Sequence, residues 1–211
     1  MKNALLEWGV KNIRKFPWRE TKNPYRIIIA EIFLQRTSVK QALPVYIEFI
    51  KKYPDIGSFL EGKAQDIKDT IFPLGLKWRA EKLIEMREYT IKNFGGNIPS
   101  SKEELIKIPG IGLYTAGAVR ICAFGIPDVP LDTNTVRITG RVFGFEIKDA
   151  SRRDEKFKKE LSLLINNDEP RKSFYALIDI GSAACIKKRP FCKKCPLKIW
   201  CKFNHTVNKP L

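Results

Sequence analysis

The 211-residue chain contains little that would place it in a membrane, outside a cell or in a disulfide-stapled class. No apolar run approaches the roughly 20 residues a membrane span needs, and the longest candidate, Ile27–Leu34, is interrupted by Glu31. The N-terminal MKNALLEWG has neither a secretory apolar core nor a small-residue cleavage pattern, so an intracellular protein is expected. The first 184 residues hold a single cysteine, Cys122, whereas secreted disulfide proteins spread cysteines through a small chain. There is one histidine, His205, in a polar tail that reads as solvent-exposed rather than as a general base. No internal repeat, low-complexity linker or alternating strand pair stands out.

Core material is plentiful. Thirteen Phe and four Trp argue against disorder. A chain of this length buries about 70% of the surface its unfolded form exposes, so it needs no disulfide staple. It suits one domain or two small lobes. Lys and Arg outnumber Asp and Glu by 39 to 23, a net charge of +16. That excess fits a polyanionic partner, but a solubilising surface would look the same.

Four of the five cysteines fall together as C-x6-C-x2-C-x5-C: Cys185, Cys192, Cys195 and Cys201. Four clustered thiolates can wrap tetrahedral zinc or a [4Fe-4S] cube, and disulfides are the third option. Zinc sites usually pair two C-x2-4-C halves, and this run has one such half with two wider gaps, which suits a cube better. Cys122, inside AGAVRICAF, reads as a buried core thiol.

Helical periodicity dominates, giving an all-α fold of about ten helices. They are expected over 1–15, Ile27–Thr37, Gln41–Lys52, Asp66–Phe72, Arg79–Asn93, Lys102–Lys107, Tyr114–Phe124, Asn134–Phe143, Asp154–Asn166 and Pro170–Ala184. The four isoleucines of Ile27–Phe33 also permit a strand there. Trp18, Trp78 and Trp200 read as core anchors, and Ser101 with Glu104 as a capping box. Two lobes are expected, one over 22–145 and the other formed by 1–21 with 146–211.

Three positions carry chemistry. In IPGIGLYTA (Ile108–Ala116), Pro109 ends one helix, and Gly110 and Gly112 turn backbone N–H groups outward before the next. Such a helix N-terminus can hold a DNA phosphate without any side chain, although a plain tight turn would share the pattern. Asp132, in VPLDTNTVRI, precedes a helix as an N-cap would. A carboxylate there could also stabilise the oxocarbenium character that develops when a base leaves deoxyribose. Glu31, within IIIAEIFL, must be paired, hydrogen-bonded or facing a cleft, because burying it alone costs several kcal/mol. A salt bridge to Arg19 or Arg36 would satisfy it.

Together these segments resemble the helix-hairpin-helix DNA glycosylase superfamily, in its endonuclease III and adenine glycosylase group. The resemblance runs from about Phe16 to Cys201 through FPWR, NPY, AEIFLQRTSV, PLGLKWRAEKL, FGGNIP, IPGIGLYTAGAVRICAFG, LDTNTVRITGRVFG and ALIDIGSAAC. It implies a two-lobed helix-hairpin-helix fold with a [4Fe-4S] cluster on Cys185, Cys192, Cys195 and Cys201. A monovalent cation at the hairpin is a further implied cofactor. It implies Asp132 as the catalytic aspartate and Glu31 as the residue that protonates the base or handles water. Tyr114 stands where bifunctional relatives carry the lysine that attacks the sugar, so a monofunctional hydrolase is implied. Gln35, Arg36 and Thr37 match the DNA-wedging loop, and Gly110 and Gly112 the phosphate grip. Lys187, Lys188 and Arg189, with Lys193, Lys194 and Lys198, form a basic, acid-free stretch suited to phosphate contacts. The arginine at Arg36, and a chain that stops ten residues after Cys201, are closer to thymine/uracil mismatch glycosylases than to adenine glycosylases. The implied partner is double-stranded DNA with a mismatched or damaged base, met by a monomer with no membrane association. A compact adenine glycosylase, a bifunctional glycosylase/lyase and a non-catalytic DNA-binding module are the competing expectations.

Overall fold

Helix starts in this chain are written by short polar side chains. The structure, a computed structural model, describes residues 1–75 and 77–207; Leu76, inside PLGLKWRAEKL, and 208–211 lie outside them. The described residues hold twelve α-helices and four 3-10 turns, with no strand, and none of the helices is long and apolar enough to cross a membrane. They form two compact units, one of residues Phe16–Phe124 and one of Met1–Lys15 with Gly125–Leu211.

In chain order the helices are α1 (Lys2–Asn12), α2 (Pro24–Leu34), α3 (Val39–Lys52), α4 (Ile56–Glu61), α5 (Ala64–Ile71) and α6 (Lys77–Phe94), then α7 (Lys102–Leu105), α8 (Leu113–Phe124), α9 (Thr133–Phe143), α10 (Glu155–Ser162), α11 (Pro170–Ala183) and α12 (Lys202–Val207). The strand option at Ile27–Phe33 is excluded, because that stretch lies inside α2. Sequence periodicity missed α4 and α12, which have six residues each, too few to show a repeat.

The central unit is built around α2. The Asn23 side chain accepts from the Arg26 backbone N–H at 3.2 Å, and Pro24 occupies the first helical turn, where its missing N–H costs nothing. Tyr25, Ile27, Ile28, Ile29, Ile32 and Phe33 are all buried. Each aliphatic side chain there contributes about 1.5–3 kcal/mol relative to exposure. α2 packs against α3 and α8, while α6 covers α4 and α5. An aromatic cluster of Tyr25, Phe33, Phe49, Tyr53 and Phe59 joins α2, α3 and α4. Ser101 caps α7, but its hydroxyl donates to Glu103 rather than forming the reciprocal box expected with Glu104.

The terminal unit is held by α9, which packs on α10, α11 and α12, and by α1 lying along α11. Sequence reading put residues up to 145 in the central lobe; α9 instead packs with these C-terminal helices. Gly9 faces Ala176 on α11, where a Cβ would make ordinary contact at 3.5 Å, and its tighter neighbour would be the Ile13 side chain at 3.1 Å. The segment after α1 is fixed by Asp179, a buried carboxylate on α11. Asp179 accepts from the Arg14 backbone N–H at 2.9 Å, from Arg14 Nε at 2.8 Å and from a terminal guanidinium nitrogen at 2.6 Å. Arg14 keeps 43% of its side-chain surface exposed, so losing Asp179 removes charge-assisted hydrogen bonds without burying an unpaired charge. Asp179→Ala is therefore expected to lower stability by about 1.5–3 kcal/mol, read as a shift of the urea unfolding midpoint with an unchanged slope.

Candidate active site and nucleic-acid interface

The candidate residues divide between the two units. Glu31, Gln35, Arg36, Thr37, Gly110, Gly112 and Tyr114 belong to the central one; Asp132, the four clustered cysteines, Lys187, Lys188 and Arg189 belong to the terminal one.

α2 ends at Leu34, three residues earlier than its periodicity predicted, and Gln35-Arg36-Thr37 leave it as a tight loop. Arg36 is exposed and is the only non-glycine residue with a positive φ, 55°, among those described. L side chains adopt that conformation at a cost, so the loop must be held from outside. Two contacts hold it. Gln35 Nε2 donates to the Gly110 carbonyl at 3.4 Å, tying the loop to the hairpin. The guanidinium of Arg79, on α6 and fully buried, donates to the Gln35 carbonyl, to Thr37 Oγ1 at 3.0 Å and, weakly, to the Leu74 carbonyl at 3.5 Å. Burial lowers the Arg79 pKa, but a guanidinium stays protonated at neutral pH. No sequence signal marked Arg79, because a basic residue on a helix is ordinarily a solvated one.

In the hairpin, Ile108 and Ile111 are buried anchors and Gly110 takes φ +86°. Gly112 differs from the expectation of two special glycines: its φ is ordinary, and a Cβ there would meet no atom within 4 Å. It is exposed and precedes α8, whose first intrahelical bond runs from the Ala116 N–H to the Gly112 carbonyl at 2.9 Å. The N–H groups of Leu113, Tyr114 and Thr115 lie in the first turn of this helix, ahead of its first intrahelical bond. Tyr114 is half-buried in that first turn, and Glu31 is half-buried on α2 rather than sealed in its core.

Asp132 serves as the N-cap of α9. Its Oδ1 accepts from the Asn134 N–H at 2.9 Å and the Thr135 N–H at 2.7 Å, and Thr135 Oγ1 closes the capping box. Oδ2 receives only the Asn134 amide, at 3.1 Å, so one carboxylate oxygen caps while the other keeps acceptor capacity. Asn134 is oriented in turn by Arg137, which donates to its Oδ1 at 2.7 Å, fixing the amide NH2 towards Asp132. Gly181 makes room for it, since a Cβ there would fall 2.6 Å from the Asn134 Cβ. Arg137 also donates to the Gly181 and Cys185 carbonyls, both at 2.6 Å. One turn along, Arg141 donates to the Ile186 and Lys187 carbonyls at 2.7 and 2.8 Å. These two arginines lay inside the LDTNTVRITGRVFG motif, yet nothing in the sequence showed that they clamp the segment bearing Cys185 and Lys187.

The iron–sulfur expectation requires correction, and with it the cluster loop in the expected fold. Among the described residues no group of three or more His, Cys, Asp or Glu side chains is placed to hold a metal ion. The four cysteines are free thiols lining one small cavity with Arg141, Ala184, Pro190 and Phe203. Burial and the neighbouring sulfurs push the Cys195 thiol up to about 11, and burial raises Cys201 as well. The hairpin residues Lys107–Gly112 include no Cys, His, Asp or Glu, so they add nothing to a metal-holding group of that kind either. Around the cavity, Lys187, Lys188, Arg189, Lys193, Lys194 and Lys198 are all exposed. Of the tryptophans expected in the core, Trp18 is buried, but Trp78 and Trp200 keep 36% and 39% of their surface exposed. Cys122 is buried, and His205 is exposed with its ring against the Ile199 carbonyl.

This arrangement has close counterparts. The chain is 34% identical to a thymine-DNA glycosylase of Aeropyrum pernix, over 95% of this chain and 92% of that protein. It is 34% identical to a thymine/uracil-DNA glycosylase of Pyrobaculum aerophilum, over 93% and 87% respectively. It is 36% identical to an adenine DNA glycosylase of Buchnera aphidicola, over 94% of this chain and 57% of that one. The structure of a thermostable thymine-DNA glycosylase superposes with a TM-score of 0.89 at 30% identity, covering 97% of this chain and 94% of that one. Residues 29–163, which take in the C-terminal half of α2, the hairpin and Asp132, match the HhH-GPD superfamily base excision DNA repair protein family, and the chain belongs to that superfamily.

Proposed function

We propose that this protein is a monofunctional DNA glycosylase that releases thymine or uracil mispaired with guanine. The observation that carries this reading is the near end-to-end likeness, at a TM-score of 0.89, to a thymine-DNA glycosylase. Sequence identity alone does not separate the branches, because an adenine glycosylase matches equally well. Arg36 in the loop after α2 adds to the thymine/uracil side.

Each residue then has a chemical task. The N–H groups in the first turn of α8 bind a DNA phosphate, and the bare surface at Gly112 lets the backbone approach it closely. The exposed lysines and Arg189 beside the cysteines add phosphate contacts that position the duplex. Gln35, Arg36 and Thr37 enter the base stack as the target nucleotide is extruded. A mispaired base costs less to extrude, which supplies part of the selectivity. Asp132 presents the oxygen not used for capping to the sugar, where positive charge develops as the glycosidic bond lengthens. Glu31 protonates the departing base or orders the attacking water. Tyr114 offers a hydroxyl and a ring edge, and a phenol cannot form the Schiff base through which lysine-bearing relatives cut the strand.

Asn substitutes for Asp as an N-cap with little loss of stability, so Asp132→Asn isolates the charge from the fold. The variant should keep its melting temperature and its mismatch affinity while single-turnover base release falls at least about 100-fold. Unchanged turnover would remove Asp132 from the chemistry. Borohydride added during turnover should trap no covalent protein–DNA adduct, and efficient trapping would show a lyase. The deciding measurement is base release from G·T, G·U, A·G and A·8-oxoguanine duplexes. Thymine and uracil are expected to leave; adenine leaving while both survive would assign the protein to the adenine branch.

A further inference from the structure

We propose that Arg79 is a positioning residue for base extrusion: it holds Gln35-Arg36-Thr37 in the shape that enters the stack. This rests on the glycosylase reading above. The side chain is completely buried, and its hydrogen-bond partners are neutral acceptors from two separate chain segments. The Gln35 carbonyl belongs to the C-terminus of α2, the Leu74 carbonyl to the 3-10 turn Phe72–Leu74 that follows α5. Both ends leave carbonyls without intrahelical partners, and both carry the negative pole of their peptide dipoles. A planar cation with several donors can bridge them; an ammonium on a flexible stem cannot.

The bridge lies where the loop needs it. Arg36, between the two residues that Arg79 contacts, carries the strained positive φ. Without the guanidinium the C-terminal carbonyls of α2 would seek other donors, and Arg36 would relax towards ordinary backbone angles. The loop would then approach DNA as an ensemble, and ordering it would be added to the cost of unstacking the target. Nε of Arg79 has no partner among the described residues, so its terminal nitrogens carry the contacts. The side chain is not in the Asp132 network and touches none of the groups given a chemical task except the loop itself.

The test uses the full-length protein with two variants. Arg79→Lys keeps the buried charge but cannot span the acceptors, and Thr37→Val removes one acceptor, together with the Thr37 Oγ1 donation to the Gln35 carbonyl, without touching α6. Single-turnover uracil release is measured from a G·U duplex and from a duplex whose uracil is a single-nucleotide bulge, already unstacked. Charge-assisted hydrogen bonds of this kind correspond to about a 10- to 100-fold change. Arg79→Lys should lose that much on G·U yet stay within about threefold on the bulge, and Thr37→Val should show a smaller loss of the same kind. Trypsin should cut after the exposed Arg36 faster in both variants than in the wild type. An equal loss on both substrates, or unchanged cleavage after Arg36, would overturn the assignment. If Arg79→Lys does not fold, Arg79→Gln, which keeps a neutral donor at that position, takes its place in both the base-release and the trypsin comparisons. Wild-type protein that releases neither thymine nor uracil would defeat the glycosylase reading instead, while the trypsin comparison, which needs no substrate, would still decide the role of Arg79.

Discussion

A single buried guanidinium organises the central unit. Arg79 reaches from α6 to the end of α2 and to the turn after α5 and donates to a carbonyl at each; at the α2 end it shares the Gln35 carbonyl with Thr37 Oγ1, which donates to it at 3.3 Å. An unpaired charge in the interior costs several kcal/mol, so its tolerance needs a reason. The reason is geometric: two helical segments end at the same place, and their unsatisfied carbonyls act as a distributed anion. The core of Ile, Phe and Tyr around α2 fixes where those ends meet, and the cation in turn fixes what leaves them. Gln35, whose carbonyl Arg79 binds, passes the constraint on to the hairpin through its own side chain and the Gly110 carbonyl. The loop and the hairpin turn are thus parts of one hydrogen-bonded structure, though more than seventy residues separate them in the chain.

The terminal unit solves a similar problem with opposite signs. Asp132 is needed at the start of α9 for an ordinary reason, since the first N–H groups of a helix require acceptors. Only one of its oxygens meets that need. The other is held by Asn134, which is held by Arg137, which is anchored on the carbonyls of Gly181 and Cys185. A carboxylate fixed from both sides loses little freedom when charge develops near it, which is the condition for electrostatic stabilisation without reorganisation. Structural duty and chemistry therefore do not compete for Asp132; capping is what immobilises it.

How much of this was legible in the sequence depends on whether a feature is local. The start of α9 at Asp132 and the glycine turn at Gly110 each rest on a few consecutive residues, and both were readable, whereas the Asn23 cap was not read and α2 was expected to begin at Ile27 rather than Pro24. The end of α2 was not readable either: IIIAEIFLQRT stays compatible with helix through Thr37, and what stops it at Leu34 includes an arginine 44 residues further on. Arg137 and Arg141 were visible as basic residues, but their partners are carbonyls about forty-five residues away, and a carbonyl leaves no mark in a sequence. Cysteine spacing misled for the same reason. C-x6-C-x2-C-x5-C states how far apart four thiols stand along the chain, whereas a metal site depends on how they stand in space, and the described residues form no metal-holding group. Trp78 and Trp200 show the converse error, large apolar side chains assigned to the core by type that remain partly in solvent.

The groups assigned to DNA recognition and chemistry gather at helix ends, and the polarity of each end matches its task. The C-terminal end of α2, negative, holds a cation and through it the loop proposed to enter the stack. The N-terminal end of α8, positive, is the end proposed to meet a phosphate. The N-terminal end of α9, also positive, holds a carboxylate whose charge is the useful one. Helix interiors contribute rigidity, since their backbone donors and acceptors are consumed by one another. Helix ends alone leave backbone polar groups available, and a rigid helix behind each end keeps those groups from following the substrate as it moves. Side chains such as Arg79 and Asn134 then have a limited assignment, to decide which way an already polarised end points. Under the proposed function, that division assigns affinity to the exposed lysines and the choice of target to three short segments, 35–37, 110–114 and 132–134.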